Sequence, residues 1–99
     1  MPALFIIQAT VSRDPAERER YREYQAQVQP LIAAYGGRLR ATGGNLEVLE
    51  GAHDGRRLVV FEFPSMEALH GFWHSPQYAV IKTLRANAAQ VDAWAVPAQ

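Results

Sequence analysis

Cysteine is missing altogether, which excludes a disulfide framework and thiolate chemistry and leaves the redox compartment undecided on that ground. Charge of one sign is missing too: ten Lys and Arg balance ten Asp and Glu. Nucleic acid and anionic membrane both demand a basic surplus, so neither is expected as the main partner. There is no apolar run of membrane-spanning length, and the first segment, MPALFIIQATV, has no basic leader. It reads as a strand and the protein as cytoplasmic. G-x-G-x-x-G, a Walker loop and a Ser-His-Asp order are absent, so no cofactor is implied. No low-complexity linker or shift of composition divides the chain, and a single domain over residues 1–99 is expected.

What is present is a core-forming composition, 48% hydrophobic, in a chain short enough that self-association is a natural way to bury more surface. Residues 3–11, ALFIIQATV, read as a buried strand. In DPAE, Asp14 takes an N-cap, Pro15 the first helical position and Glu17 the position three after the cap. The helix is expected to run to about Tyr35, disturbed near Pro30, with Tyr21, Tyr24, Val28, Leu31, Ile32 and Tyr35 on its buried stripe and Arg18 and Arg22 outside it. Gly36 and Gly37 end it. RLRATGGNLEVLEG (38–51) reads as a strand bent at Gly43-Gly44, and Asp54-Gly55 as the tight point of the following turn. RLVVFEF (57–63) is the next strand. Ser65 caps a short helix from Met66, whose apolar side holds Met66, Ala68, Leu69, Phe72 and Trp73. Ser75 and Pro76 start another, running to about Ala86. QVDAWAV (90–96) alternates and closes the sheet.

Strand, helix, strand, strand, helix, strand is an α+β order, βαββαβ, and predicts a four-stranded antiparallel sheet with both helices on one face. Period-two alternation assigns Phe5, Ile7, Val59, Phe61 and Phe63 to the helix side, and Ile6, Gln8, Val60, Glu62 and Glu50 to the other. A one-residue slip would reverse this. Leaving the second face wet costs about 25 cal/mol per Å² of apolar surface, so a second copy is expected to cover it as a homodimer.

The chain resembles an uncharacterised bacterial family, domain of unknown function thirteen-thirty, of the dimeric α/β-barrel superfamily. The residues that carry this are Tyr21 with Tyr24, YGGRL at 35–39, EVLEG at 47–51, LVVFEFPS at 58–65, and W.SPQY..IK..R from Trp73 to Arg85. The resemblance covers nearly the whole chain. It implies a ferredoxin-like fold whose sheets pair as a dimeric α/β barrel, and it supplies no catalytic residues. Superfamily relatives include cofactor-free monooxygenases, lactone isomerases and haem-degrading enzymes. Gln77 stands where the family usually has an acidic residue, and His70 and His74 are not family features.

Several residues are candidates for chemistry. Tyr78, Lys82 and Arg85 fall at i, i+4 and i+7 on one helix edge, where a phenol, an ammonium and a guanidinium would hold a carboxylate or enolate; the plainer reading is a packed tyrosine with two solvated cations. Glu50 and Glu62 are the carboxylates expected inside, as a general base or as structural ion pairs. With Glu62 as base, Tyr78 and Arg85 would stabilise an oxyanion. Tyr24 packs in the core or offers a hydroxyl to a pocket wall, Trp73 packs in the core or offers an aromatic face to a ligand, and His53 overhangs a cavity mouth or is only a turn residue. His70 and His74 lie four apart but on a solvated face with no third ligand, so no metal is expected. Three readings stand: a homodimer that binds a small organic ligand, with cofactor-free acid-base chemistry of isomerase or monooxygenase type; a non-catalytic ligand-binding or structural dimer module; and haem binding through a histidine, which would give a visible absorption band with haemin.

Overall fold

The computed structural model describes residues 1–43 and 46–99. Its elements are β1 (Ala3–Val11), α1 (Pro15–Ala34), β2 (Arg38–Gly43), β3 (Arg57–Phe63), α2 (Met66–Trp73), α3 (Pro76–Lys82), a 3-10 turn (Thr83–Arg85) and β4 (Ala89–Pro97). The sheet order is β2-β3-β1-β4, and the three pairings are antiparallel. This is the expected ferredoxin-like α+β fold.

The helix starts follow from local chemistry. Asp14 accepts the amide of Glu17, Ser65 that of Ala68 and Ser75 that of Tyr78, so each cap satisfies a donor that the first turn leaves free. Pro30 sits inside α1 without ending it. Beyond the C-cap Tyr35, Gly36 adopts φ +85°, which a side chain rarely tolerates. Gly37 is needed for another reason: a Cβ there would meet Ile32 Cγ2 at 2.5 Å and the Phe63 ring at 2.9 Å.

Register confirms the two faces. Phe5 lies opposite Phe61 and Ala3 opposite Phe63, while Leu4 lies opposite Glu62 and Ile6 opposite Val60. On the helix side the core closes around aromatic rings. Phe72 lies 5.8 Å from Phe5, 5.7 Å from Phe63 and 4.7 Å from Tyr78, centroid to centroid, within the range where edge and offset contacts add to burial. On the other face Leu4, Ile6, Leu58 and Val60 are only half-buried, and Trp94 and Val96 are exposed. The strand expected at 46–50 is not formed: residues 46–56 carry no regular structure, and Leu46, Val48 and Leu49 are exposed. The inner strands are taken, β3 lying between β2 and β1 and β1 between β3 and β4, so only the outer rims of β2 and β4 remain, and residues 46–56 join neither before the chain enters β3. Gly44 of the expected bend lies outside the described residues. A β-bulge interrupts β2 between Leu39 and Ala41. Among the described residues no helix is long and apolar enough to cross a membrane.

Candidate functional site

α1 packs on α3 and the 3-10 turn more than on the strands. It therefore stands off the sheet, and small residues such as Ala9 and Gly37 widen the gap. The result is a cleft of about 570 Å³ between α1 and the helix-facing side of the sheet, within the size range of small-molecule sites. One stripe of α1 (Arg18, Tyr21, Gln25, Val28 and Ile32) forms one wall, and Phe5, Ile7, Val59 and Phe61 form much of the other. Arg57 and Thr42 stand at one end, Gly37 and Leu39 at the opposite end. Among the described residues no carboxylate and no histidine lines the cleft.

A polar cluster backs the α1 wall. The Tyr21 and Tyr24 rings stack at 5.5 Å. The Tyr24 and Tyr78 hydroxyls share a hydrogen bond of 2.9 Å. The Arg85 guanidinium lies 5.8 Å from the Tyr24 ring centroid, and its Nε is buried without a hydrogen-bond partner. Burial pushes the Tyr24 phenol well above the ordinary tyrosine range, Tyr78 beside it adds to the rise, and Arg85 opposes it. Tyr21 is also raised, chiefly by burial, against the pull of Arg85 and Arg57. Burial works against the charge on Arg85, but the phenols of Tyr78 and Tyr24 outweigh it and its pKa rises. The cluster thus presents neutral phenols beside a permanent cation.

The sequence candidates separate into two groups. Tyr24, Tyr78 and Arg85 come together as described, and Tyr24 reaches the cleft while Tyr78 and Arg85 sit behind it. Lys82 and Trp73 continue the cluster: the ammonium lies 4.8 Å from the indole centroid, and the indole lies 5.1 Å from the Tyr78 ring. Ser75 and Pro76 are explained by capping. Glu62 does not join them. It projects from the other face of the sheet, opposite Leu4, and is held by Arg38 at 3.6 Å and Arg40 at 3.5 Å. A base on one face cannot take a proton from a molecule held on the other, so Glu62, Tyr78 and Arg85 are not one constellation within a subunit. Glu50 is exposed in the irregular segment, not enclosed as expected.

His53 reaches over that outer face as well. Its Nε2 lies 3.0 Å from Gln8 Nε2, and its Nδ1 accepts the Gly55 amide at 3.1 Å. Beside it, Arg56 binds Asp54, Asp92 and Gln8. His70 and His74 are exposed with rings 6.1 Å apart, and among the described residues no group of three metal-ligating side chains forms.

Arg18 and Arg57 were missed at the sequence level. Arg57 shares the helix-facing parity of Val59, Phe61 and Phe63, and Arg18 stands one turn before Tyr21, so the signal was there. A charged residue was simply not counted on a wall that the apolar pattern defined.

The model of the family described as "Domain of unknown function (DUF1330)" matches residues 2–99. No curated protein matches the chain at a significant level. Among solved structures, a protein of unknown function from Rhodopseudomonas palustris is similar at 20% identity and a TM-score of 0.73, over 99% of this chain and 83% of that one. A dimeric ferredoxin-like protein of unknown function from Jannaschia sp. CCS1 is similar at 11% identity and 0.72, over 99% and 100%. SnoaB, a cofactor-independent oxygenase from Streptomyces nogalater, is similar at 15% identity and 0.63, over 99% and 93%. At these identities the likeness is one of fold.

Proposed function

The chain belongs to that family of domains of unknown function, and from this premise we propose that it is a homodimer in which each subunit takes a small, largely apolar organic molecule into the cleft between α1 and the sheet. The observation that carries this reading is the cleft itself. It is walled on the sheet side by Phe5, Ile7, Val59 and Phe61, and bordered on α1 by a tyrosine hydroxyl that a half-buried arginine backs. An apolar body gains about 25 cal/mol per Å² on leaving water for such walls. The phenols and glutamines offer the few directional bonds that orient it. Self-association rests on the apolar outer face, with Trp94 and Val96 exposed, and on the dimeric neighbour.

Among the described residues that line the cleft no carboxylate or imidazole is placed to act as a base, and the Tyr21 and Tyr24 phenols are held neutral. The residues therefore favour binding, or chemistry in which the substrate is itself acidic and its anion is stabilised by Arg85 through Tyr24. Cofactor-independent oxygenation is the second reading. It is favoured by the likeness to SnoaB and would require a substrate carbanion that gives its electrons to dioxygen.

The test is a neutral apolar probe, 1-N-phenylnaphthylamine, titrated by fluorescence. Wild type binds it. Val59→Trp fills the cleft and removes binding, with Ala9→Phe as a second cleft-filling variant, each checked for fold by circular dichroism. Glu62→Gln, on the other face, leaves binding unchanged. Equal binding by folded cleft-filled variants would refute the reading.

A further inference from the structure

The cleft has two unlike ends. Arg57 is the first residue of β3 and lies opposite Ala9 near the end of β1. Thr42 sits opposite Val59, and Val91 opposite Ala9, so these residues gather where β1 finishes and β3 begins. α1 starts just after β1 and runs back along it, which brings Arg18 to the same end. The far end holds Phe5 and Phe61, paired across β1 and β3, with Ile32, Gly37 and Leu39. From Arg18 to Ile32 the helix rises about 21 Å, and β1 from Phe5 to Val11 extends about 20 Å. Both walls thus pass from basic to apolar over one molecular length.

The two arginines are free to take a new partner. Arg18 forms no ion pair among the described residues. Among the described residues Arg57 has only the Thr42 hydroxyl, at 3.5 Å. The nearby carboxylates are engaged: Glu17 with Ser12 at 2.6 Å and Arg20 at 3.8 Å, Asp14 with the Glu17 amide, and Glu19 with Arg22 at 3.2 Å. Among the described residues no carboxylate lines the cleft to neutralise them. Two unpaired guanidiniums at the mouth of an apolar slot form an anion-recognition pattern, since a guanidinium meets a carboxylate or sulfonate through two parallel N–H donors.

Resting on the cleft reading above, we infer that the ligand class is an amphipathic organic anion: one acidic head seated between Arg18 and Arg57, and an aromatic or alkyl body extended toward Phe5, Phe61 and Ile32. The head fixes the direction of entry, and the body supplies the buried area. A neutral molecule of the same shape binds the same walls but forgoes the charge-assisted bonds.

The experiment compares two fluorescent probes with one body. 1-Anilinonaphthalene-8-sulfonate carries the anionic head, and 1-N-phenylnaphthylamine lacks it. Wild type is expected to bind the sulfonate about tenfold or more tightly than the neutral probe, the worth of a charged hydrogen bond, with the difference shrinking in high salt. Arg57→Gln and Arg18→Gln are each expected to weaken the sulfonate by about fivefold or more and to leave the neutral probe within about twofold. Arg13→Gln removes the same formal charge outside the cleft lining and is expected to change neither. Equal affinities in wild type, with both probes lost in Val59→Trp and Ala9→Phe, would overturn the anion class and keep the cleft. Neither probe responding to the cleft-filled variants would overturn the cleft reading and the ligand class with it. Circular dichroism and gel filtration on every variant separate lost binding from lost fold.

Discussion

Tyr24→Phe removes one oxygen atom, and the structure says what that oxygen is worth. It lies 2.9 Å from the Tyr78 hydroxyl. Tyr78 is 2% exposed, so its hydroxyl loses an enclosed partner when Tyr24 becomes phenylalanine. An orphaned buried hydroxyl costs about 1–3 kcal/mol. The reverse change, Tyr78→Phe, takes the oxygen from the enclosed side and leaves Tyr24 its hydroxyl at a half-open cleft wall, where water can satisfy it. That forfeits only the net bond, about 0.5–1.5 kcal/mol. The expected order is therefore about 2 kcal/mol for Tyr24→Phe and about 1 kcal/mol for Tyr78→Phe, the opposite of their ranking by burial. The double change removes both oxygens and should fall short of the sum by about 1 kcal/mol. Urea unfolding at one fixed protein concentration reads this, because stability of a self-associating chain depends on concentration. With a slope of about 1–3 kcal/mol per M, the Tyr24→Phe midpoint should drop by about 1 M. Arg85 is the charged donor nearest the pair, so repeating the measurement in Arg85→Gln shows whether it moves in to replace Tyr24. Additive single changes, or Tyr78→Phe costing as much as Tyr24→Phe, would refute the reasoning.

Gly37→Ala places a methyl 2.5 Å from Ile32 Cγ2 and 2.9 Å from the Phe63 ring. Overpacking of this kind costs about 1–3 kcal/mol, and a thermal melt should show it as a clear drop. Asp54 has a carboxyl held below its ordinary 3.8, chiefly by the Arg56 amide that donates to it, against the opposing effect of desolvation, and further by the Arg56 guanidinium and His53. A depressed folded pKa stabilises above the unfolded value and is lost as pH falls through the folded one. The stability gap between wild type and Asp54→Asn should accordingly narrow as pH falls below about 5 and close below pH 3.8. A gap that still widens below about pH 5 would contradict the assigned cause.

The fold was legible because its signals are local and redundant. Asp14-Pro15, Ser65 and Ser75-Pro76 mark helix starts by cap chemistry, and the parity of Phe5, Ile7, Val59, Phe61 and Phe63 names the buried face of the sheet. The segment 46–50 misled because alternation in Leu46, Glu47, Val48, Leu49 and Glu50 describes a strand's appearance and not whether the segment docks on an edge. The site was half legible. Helical spacing put Tyr78, Lys82 and Arg85 on one edge, and the structure added Tyr24 and Trp73 across the helix contact. Joining Glu62 to them failed, even though its own parity with Val60 already placed it away from the helices. The gap between α1 and the strands could not be read, since it depends on how far one packed body stands from another. Arg18 and Arg57 become informative only once that distance is known.

The bulge between Leu39 and Ala41 has a consequence for how copies of this chain meet. β2 forms one rim of the sheet, and its hydrogen-bond ladder is broken at that point, with Arg38 and Arg40 standing beside the break. The opposite rim, β4, finishes at Pro97, whose ring nitrogen has no proton to donate. A strand arriving sideways would find mismatched donors at one rim and a missing donor at the other. Whatever covers the flat oily surface, each rim thus carries a feature that opposes edge-to-edge pairing.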